Sequence, residues 1–178
     1  TVTLTNVSLS GNQASFGGGL LNSGGTVTIS NSTFSLNQAS FGGGIYNSNG
    51  TITLSNSTLS LNQGSEGGGI YNDTGTISIN NSILSQNQAG LSGGGIFHGA
   101  GLVNINNSTL INNQAEAFGG GIKNELGTLN ITNTTLANTK ANDTGGGLLN
   151  NNGQVSIRNS TFYNNTARQL GGAIWHSS

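Results

Sequence analysis

The sequence predicts an all-β fold: a single-stranded parallel β-helix, or solenoid, of seven coils with essentially no α-helix. Three observations carry this prediction. The 178 residues cut into seven similar segments of 25 or 26 residues, namely 1–25, 26–50, 51–75, 76–101, 102–127, 128–153 and 154–178. Within each segment apolar residues alternate with polar ones at period two, the signature of a half-buried strand. No segment shows the 3.6-residue period of an amphipathic helix. A period of this length belongs to stacked repeat architectures, in which each unit buries its apolar side chains only against its neighbours. All seven coils therefore form one domain, 1–178, with no separate capping element.

The first strand of each coil carries two inward positions: Val2 and Leu4, Val27 and Ile29, Ile52 and Leu54, Ile77 and Ile79, Val103 and Ile105, Leu129 and Ile131, Val155 and Ile157. A second short strand carries Leu9, Phe34, Leu59, Leu84, Leu110, Leu136 and Phe162. A third follows a glycine cluster and carries Leu20, Ile45, Ile70, Ile96, Ile122, Leu148 and Ile174. Three strands per coil are expected, joined by Asn and Gly corners. The one-residue length differences between coils fall at or after the Gln-Ala or Gln-Gly turn and before the glycines.

Three polar columns are expected to be structural ladders. Position six is Asn in every coil: Asn6, Asn31, Asn56, Asn81, Asn107, Asn133 and Asn159. Position twelve is Asn12, Asn37, Asn62, Asn87, Asn113 and Asn165, with Thr139 as the exception. The third column is Asn22, Asn47, Asn72, His98, Asn124, Asn150 and His176. A carboxamide has both a donor and an acceptor, so amides repeated at strand spacing bond the one above and the one below. Asn also tolerates the left-handed backbone of a tight corner. The glycine clusters, such as Gly42–Gly44, are expected at another corner, because no GK[ST] element or following helix makes them a phosphate cradle.

Composition narrows the function. Only 9 residues are charged (4 Lys+Arg and 5 Asp+Glu) and the net charge is -1. Such a chain offers no electrostatic footprint for nucleic acid. It contains no Cys, which removes disulfides and thiolate chemistry. No apolar run approaches the roughly 18 residues of a membrane span, so direct membrane insertion is not expected.

Candidate chemistry is sparse, and the expectation is a non-enzyme with no cofactor and no metal site. His98 and His176 share a ladder column three coils apart, too far to share a metal. Glu66, Glu116 and Asp143 fall in the turn before the glycines. Glu116 and Asp143 come from adjacent coils, and a carboxyl separation of about 5 Å would match a retaining glycosidase pair; this is the alternative of a polysaccharide-active enzyme. Calcium solenoids need an Asp in each repeat, which the two Asp here do not supply. The N-x-[ST] triplets, such as Asn31-Ser32-Thr33, mostly use ladder Asn and are expected as by-products of the repeat. A second alternative, ice binding, rests on the Thr1/Thr3, Thr26/Thr28, Thr51/Thr53 and Thr76/Ser78 grid, which stops at Leu102/Asn104.

Coil seven contains Gly171-Gly172-Ala173-Ile174 and Phe162-Tyr163-Asn164-Asn165; coil two has Phe34 with Asn37, and Gly43-Gly44-Ile45. These resemble the paired GGA[ILV] and FxxN motifs of the chlamydial polymorphic membrane protein repeats and related bacterial β-helix surface proteins. The resemblance implies a right-handed helix on the outside of a bacterium, in adhesins and autotransporter passengers. Right-handedness also follows from the general preference of parallel crossovers. The chain starts at a coil boundary with Thr1 and stops at Ser178 without an amphipathic cap. The expectation is therefore an extracellular, cell-surface structural solenoid. It would be a stalk segment continuing into a longer solenoid or a filament subunit associating end to end, with a surface glycan or host receptor as possible partner.

Overall fold

The computed structural model describes residues 1–177; Ser178, the last residue of the seventh coil, lies outside the described residues. The chain is a parallel β-solenoid of seven turns, and its described residues contain no helix. Each turn after the first contributes one strand to each of four parallel sheets, and the first contributes to three of them. In the second coil these strands are Thr26–Ser30, Thr33–Ser35, Gln38–Phe41 and Ile45–Asn47. The first, second and fourth sheets have seven strands and the third has six.

The fourth strand per coil corrects the expected three. The Gln-Ala segment, anticipated as a turn, pairs in register as Gln38↔Gln63 and Ala39↔Gly64. Its sequence signal is weak because the inward column is filled by small residues, Ala39, Gly64, Ala89, Ala115 and Ala141. Small side chains carry little apolar contrast, so no alternation stands out. The extra residue of coil four sits in this sheet as a register shift, where Gly64↔Ala89 is followed by Glu66↔Ser92.

Register in the other sheets is uninterrupted. Leu4, Ile29, Leu54, Ile79, Ile105, Ile131 and Ile157 stand in one line across the first sheet. The inner residues of the first, second and fourth sheets form one continuous apolar core; Ile29, Phe34, Leu59, Ile79 and Ile105 are fully buried within it. A single coil could not hide such side chains from water. Seven together close over them, and backbone ladders join each coil to the next.

The corners explain the Asn and Gly content. Position six adopts left-handed φ in every coil, from 48° at Asn56 to 57° at Asn6. Position eleven does the same, occupied by Gly11, Leu36, Leu61, Gln86, Asn112, Asn138 and Asn164. At the glycine corner, space is the constraint as much as dihedral angle. A Cβ placed on Gly43 would come within 2.5 Å of the Gly68 carbonyl oxygen in the next coil.

Candidate functional site

The three expected ladder columns behave differently. The position-twelve column is a buried amide ladder. Asn12 Nδ2 donates to Asn37 Oδ1 at 3.0 Å, Asn37 to Asn62 at 3.1 Å, Asn62 to Asn87 at 3.0 Å and Asn87 to Asn113 at 3.0 Å. Each Oδ1 also accepts a backbone N–H, as from Asn37 N to Asn62 Oδ1 at 3.0 Å. The second amide hydrogen goes to a strand carbonyl, as from Asn62 to Phe34 O at 3.0 Å. The ladder breaks at Thr139, which offers the Asn113 amide no carboxamide oxygen; its hydroxyl lies 2.7 Å from both Gly146 O and Asn165 Oδ1.

The third column is also a ladder, with Asn22→Asn47 at 2.9 Å, Asn47→Asn72 at 2.8 Å and Asn124→Asn150 at 2.7 Å. His98 splits it. Asn72 Nδ2 gives one hydrogen to Gly75 O, which fixes the flip of the amide, and stands 3.1 Å from His98 Nδ1. The network therefore assigns a bare Nδ1 and a protonated Nε2 that donates to Thr128 O at 3.3 Å. Asn124 Oδ1, next in the column, is left buried without a partner. Burial lowers the His98 pKa below its ordinary 6.5, although the backbone hydrogen bonds act the other way. His176 repeats the arrangement as acceptor of the Asn150 amide at 3.0 Å.

The position-six column departs from expectation. All seven of its Asn are exposed, and among them one amide pair is formed, Asn133 Nδ2 to Asn107 Oδ1 at 3.2 Å. Asn is required there by the left-handed corner rather than by a ladder. The buried ladder at that corner belongs to the next residue. Ser32 N donates to Ser57 Oγ at 3.0 Å and Ser57 N to Ser82 Oγ at 3.1 Å, while each hydroxyl donates to the carbonyl two residues back. The serine column was visible as the second letter of the N-S-T triplets.

Glu116 and Asp143 are not register partners. Glu116 Oε2 accepts from Asn142 Nδ2 at 2.7 Å, while Asp143 lies one residue on and its N–H bonds Ala117 O. The two stand one position apart in their coils, fifteenth and sixteenth, and the uniform 26-residue register of Gln114↔Lys140 and Ala115↔Ala141 sets Glu116 opposite Asn142. Among the described residues no three His, Cys, Asp or Glu groups cluster as metal ligands. The Thr grid does lie in register, as Thr3↔Thr28↔Thr53↔Ser78 on the outer face of the first sheet. Where it ends, amides take over: Asn130 Nδ2 donates to Asn104 Oδ1 at 2.9 Å.

One surface was not anticipated. Seven of the ten aromatic residues line a single side of the rod, along the outer face of the fourth sheet and the adjoining edge of the third. Tyr46 stacks on Tyr71 with centroids 5.2 Å apart, and Tyr71 on Phe97 at 4.6 Å. Phe16 stacks on Phe41 at 5.4 Å in the neighbouring column. Burial raises the Tyr71 pKa to about 12, with Glu66 and Asp73 adding to the effect. The next residue of the Tyr71 column after Phe97 is Lys123, with Nζ 5.2 Å from the Phe97 ring centre and 2.6 Å from Glu125 Oε1. Burial pushes the Glu125 carboxyl up, but bonds from Lys123 and Asn151 and the Lys123 charge hold it below its ordinary value on balance. The signal in the sequence was the residue after each inward Ile or Leu of the last strand: Leu21, Tyr46, Tyr71, Phe97, Lys123, Leu149 and Trp175.

Four parallel sheets, stacked amide columns and a glycine corner define a parallel β-solenoid built from tandem repeats. Two stretches, residues 31–48 and 159–177, match the family model of the Chlamydia polymorphic membrane protein repeat. Each match runs from the left-handed corner Asn through the ladder Asn to the strand after the glycines, in coils two and seven. No curated protein and no solved structure matches the chain.

Proposed function

We propose that this chain is a non-catalytic structural solenoid of a bacterial cell surface, acting outside the cell as an adhesin-like stalk segment or as the unit of a stacked filament. The observation that supports this most is how the polar residues are used. The Asn, Ser and Thr that dominate the composition bond one coil to the next, so their chemistry is directed along the axis of the rod. The match to a membrane-protein repeat family supports the cell-surface setting. The unbroken register of the first, second and fourth sheets supports assembly with further coils, from the same chain or another copy, because successive coils present matching strands to their neighbours. Partners of other kinds would meet the sides of the rod, where a glycan or a host receptor is the candidate.

Electron microscopy of the purified chain and of the intact gene product tests this reading. Rods or filaments whose width is that of a single solenoid are expected. Compact particles with no elongation would contradict it.

Ice binding has one observation in its favour, the in-register Thr rows of the first sheet. It predicts thermal hysteresis in the intact chain that Thr28→Tyr abolishes; no hysteresis in the intact chain removes it.

A further inference from the structure

The aromatic side of the rod contains one cleft that the repeat does not require. It spans coils five to seven, has a volume of about 260 Å³, and is lined by Phe118, Lys123, Glu125, Leu149, Asn151 and Trp175, among others. Trp175 is the one Trp of the chain, and Lys123–Glu125 is the ion pair among the described residues. Elsewhere in the Lys123 column the side chains are Leu, Tyr, Phe or Trp, and in the Glu125 column Ser, Asp, Gly or Asn. The fold is therefore satisfied without an ion pair. A half-buried pair is also a poor stabiliser, because removal of both charges from water offsets most of their attraction.

The cleft has a defined chemistry. Glu125 accepts from Lys123 at Oε1 and from Asn151 Nδ2 at Oε2 (2.8 Å), and Asn151 Oδ1 accepts from Ser177 Oγ at 3.0 Å. This ties carboxylate and amide into a hydrogen-bonded row in the cleft that Trp175 and Phe118 also line. Lys123 keeps two N–H donors, and the oxygens of Glu125 and Asn151 keep free lone pairs. Its formal charges cancel, so a charged ligand finds no free counter-ion. A pyranose ring has an apolar C–H face and a rim of hydroxyls, matching aromatic surface on one side and bidentate polar groups on the other. The volume lies just below the roughly 300–1,000 Å³ of sites for drug-sized molecules, which suits a single sugar ring.

We propose that this cleft binds a neutral hexopyranose unit of a glycan. The proposal rests on the surface reading above for its biological setting, and gives that scaffold a ligand. With a shallow site, a dissociation constant of about 1 mM is expected.

The test uses Trp175 as the probe. The whole chain is titrated with cellotetraose, maltotetraose and N-acetylchitotetraose while tryptophan emission is read, with calorimetry as a second readout. A saturable change with at least one sugar is expected. Lys123→Leu and Glu125→Ser should each weaken binding about fivefold or more, the loss of one hydrogen bond. Both place a residue that the same column holds in other coils, so the melting transition should persist. No saturable change with any of the three, equal binding by both variants, or tighter binding of an oligogalacturonate than of the neutral sugars would each overturn the proposal. None of these outcomes touches the scaffold reading, which electron microscopy decides.

Discussion

Asn72 Nδ2 donates to His98 Nδ1 across 3.1 Å, inside a column where every other contact is between two amides or an amide and the exposed His176. The imidazole imitates the acceptor half of an amide but not its donor half, since its Nε2–H is spent on Thr128 O. Proton uptake at Nδ1 would set N–H against N–H. A pH dependence follows with a definite sign. The native pKa lies below 6.5. Above that value both states are neutral and His98 contributes nothing to the pH slope. As pH falls through 6.5 the unfolded chain takes up a proton that the folded chain refuses, so stability drops until the native pKa is reached. Denaturant midpoints at about pH 7.5 and about pH 5.5 should differ, and His98→Asn should remove this component. An unchanged difference in the variant would place its origin elsewhere.

His98→Asn should also raise stability at neutral pH. Asn124 Oδ1 is buried without a donor, and an Asn at 98 would supply one. Relief of an orphaned buried acceptor is worth about 1–3 kcal/mol. Urea unfolding reads this directly, and a lower midpoint would count against the ladder account of the column.

The complementary repair is Thr139→Asn. Asn fills the same position in six coils, and the Asn113 amide would regain a partner in the next coil. A gain of about 1 kcal/mol is expected, seen as a rise in Tm of about 2–4 °C for a chain of this size. The reverse change, Asn62→Leu, should be severe. It removes the acceptor of Asn37 N and Nδ2 and the donor to Phe34 O and Asn87 Oδ1. A loss of roughly 4 kcal/mol or more is expected, or failure to fold, and calorimetry would show either.

Leu36 and Leu61 sit at φ 57° and are exposed. Left-handed backbone costs an L-residue with a Cβ about 1–2 kcal/mol, less for Asn. Leu36→Asn should therefore stabilise by about 1 kcal/mol while removing exposed apolar surface. Equal or reduced stability in urea would show that the Leu side chain makes an interaction the corner geometry does not reveal.

Much of this fold was legible because it repeats. Alternation at Val27/Ile29 and its equivalents is a strand signal multiplied seven times, and Asn at position twelve of six coils has one economical use at strand spacing. Legibility failed where the physical contrast was low. The third sheet hid behind Ala and Gly, whose small side chains leave no alternation to see, and without its register the one-residue offset of Asp143 from Glu116 went unread. Position six and position twelve both read as Asn columns, yet one is a corner and the other a ladder. The distinction lies in φ and burial, not in residue type. The aromatic face went unread because outward residues vary from coil to coil, and only the register shows that Tyr71, Phe97 and Lys123 are neighbours.

The central claim is that equivalent residues of successive coils lie in line along one axis. The chain has no Cys, so spin labels introduced in pairs report on it cleanly. Thr3, Asn104, Asn130 and Ser156 stand in one register line of the first sheet. With strands about 4.8 Å apart, the backbone separation from Thr3 should be about 19 Å at Asn104, about 24 Å at Asn130 and about 29 Å at Ser156. Pulsed electron paramagnetic resonance should return three narrow distributions rising by one coil spacing each. Distances that fail to increase with coil number, or broad distributions of the kind an unstacked chain gives, would contradict the account.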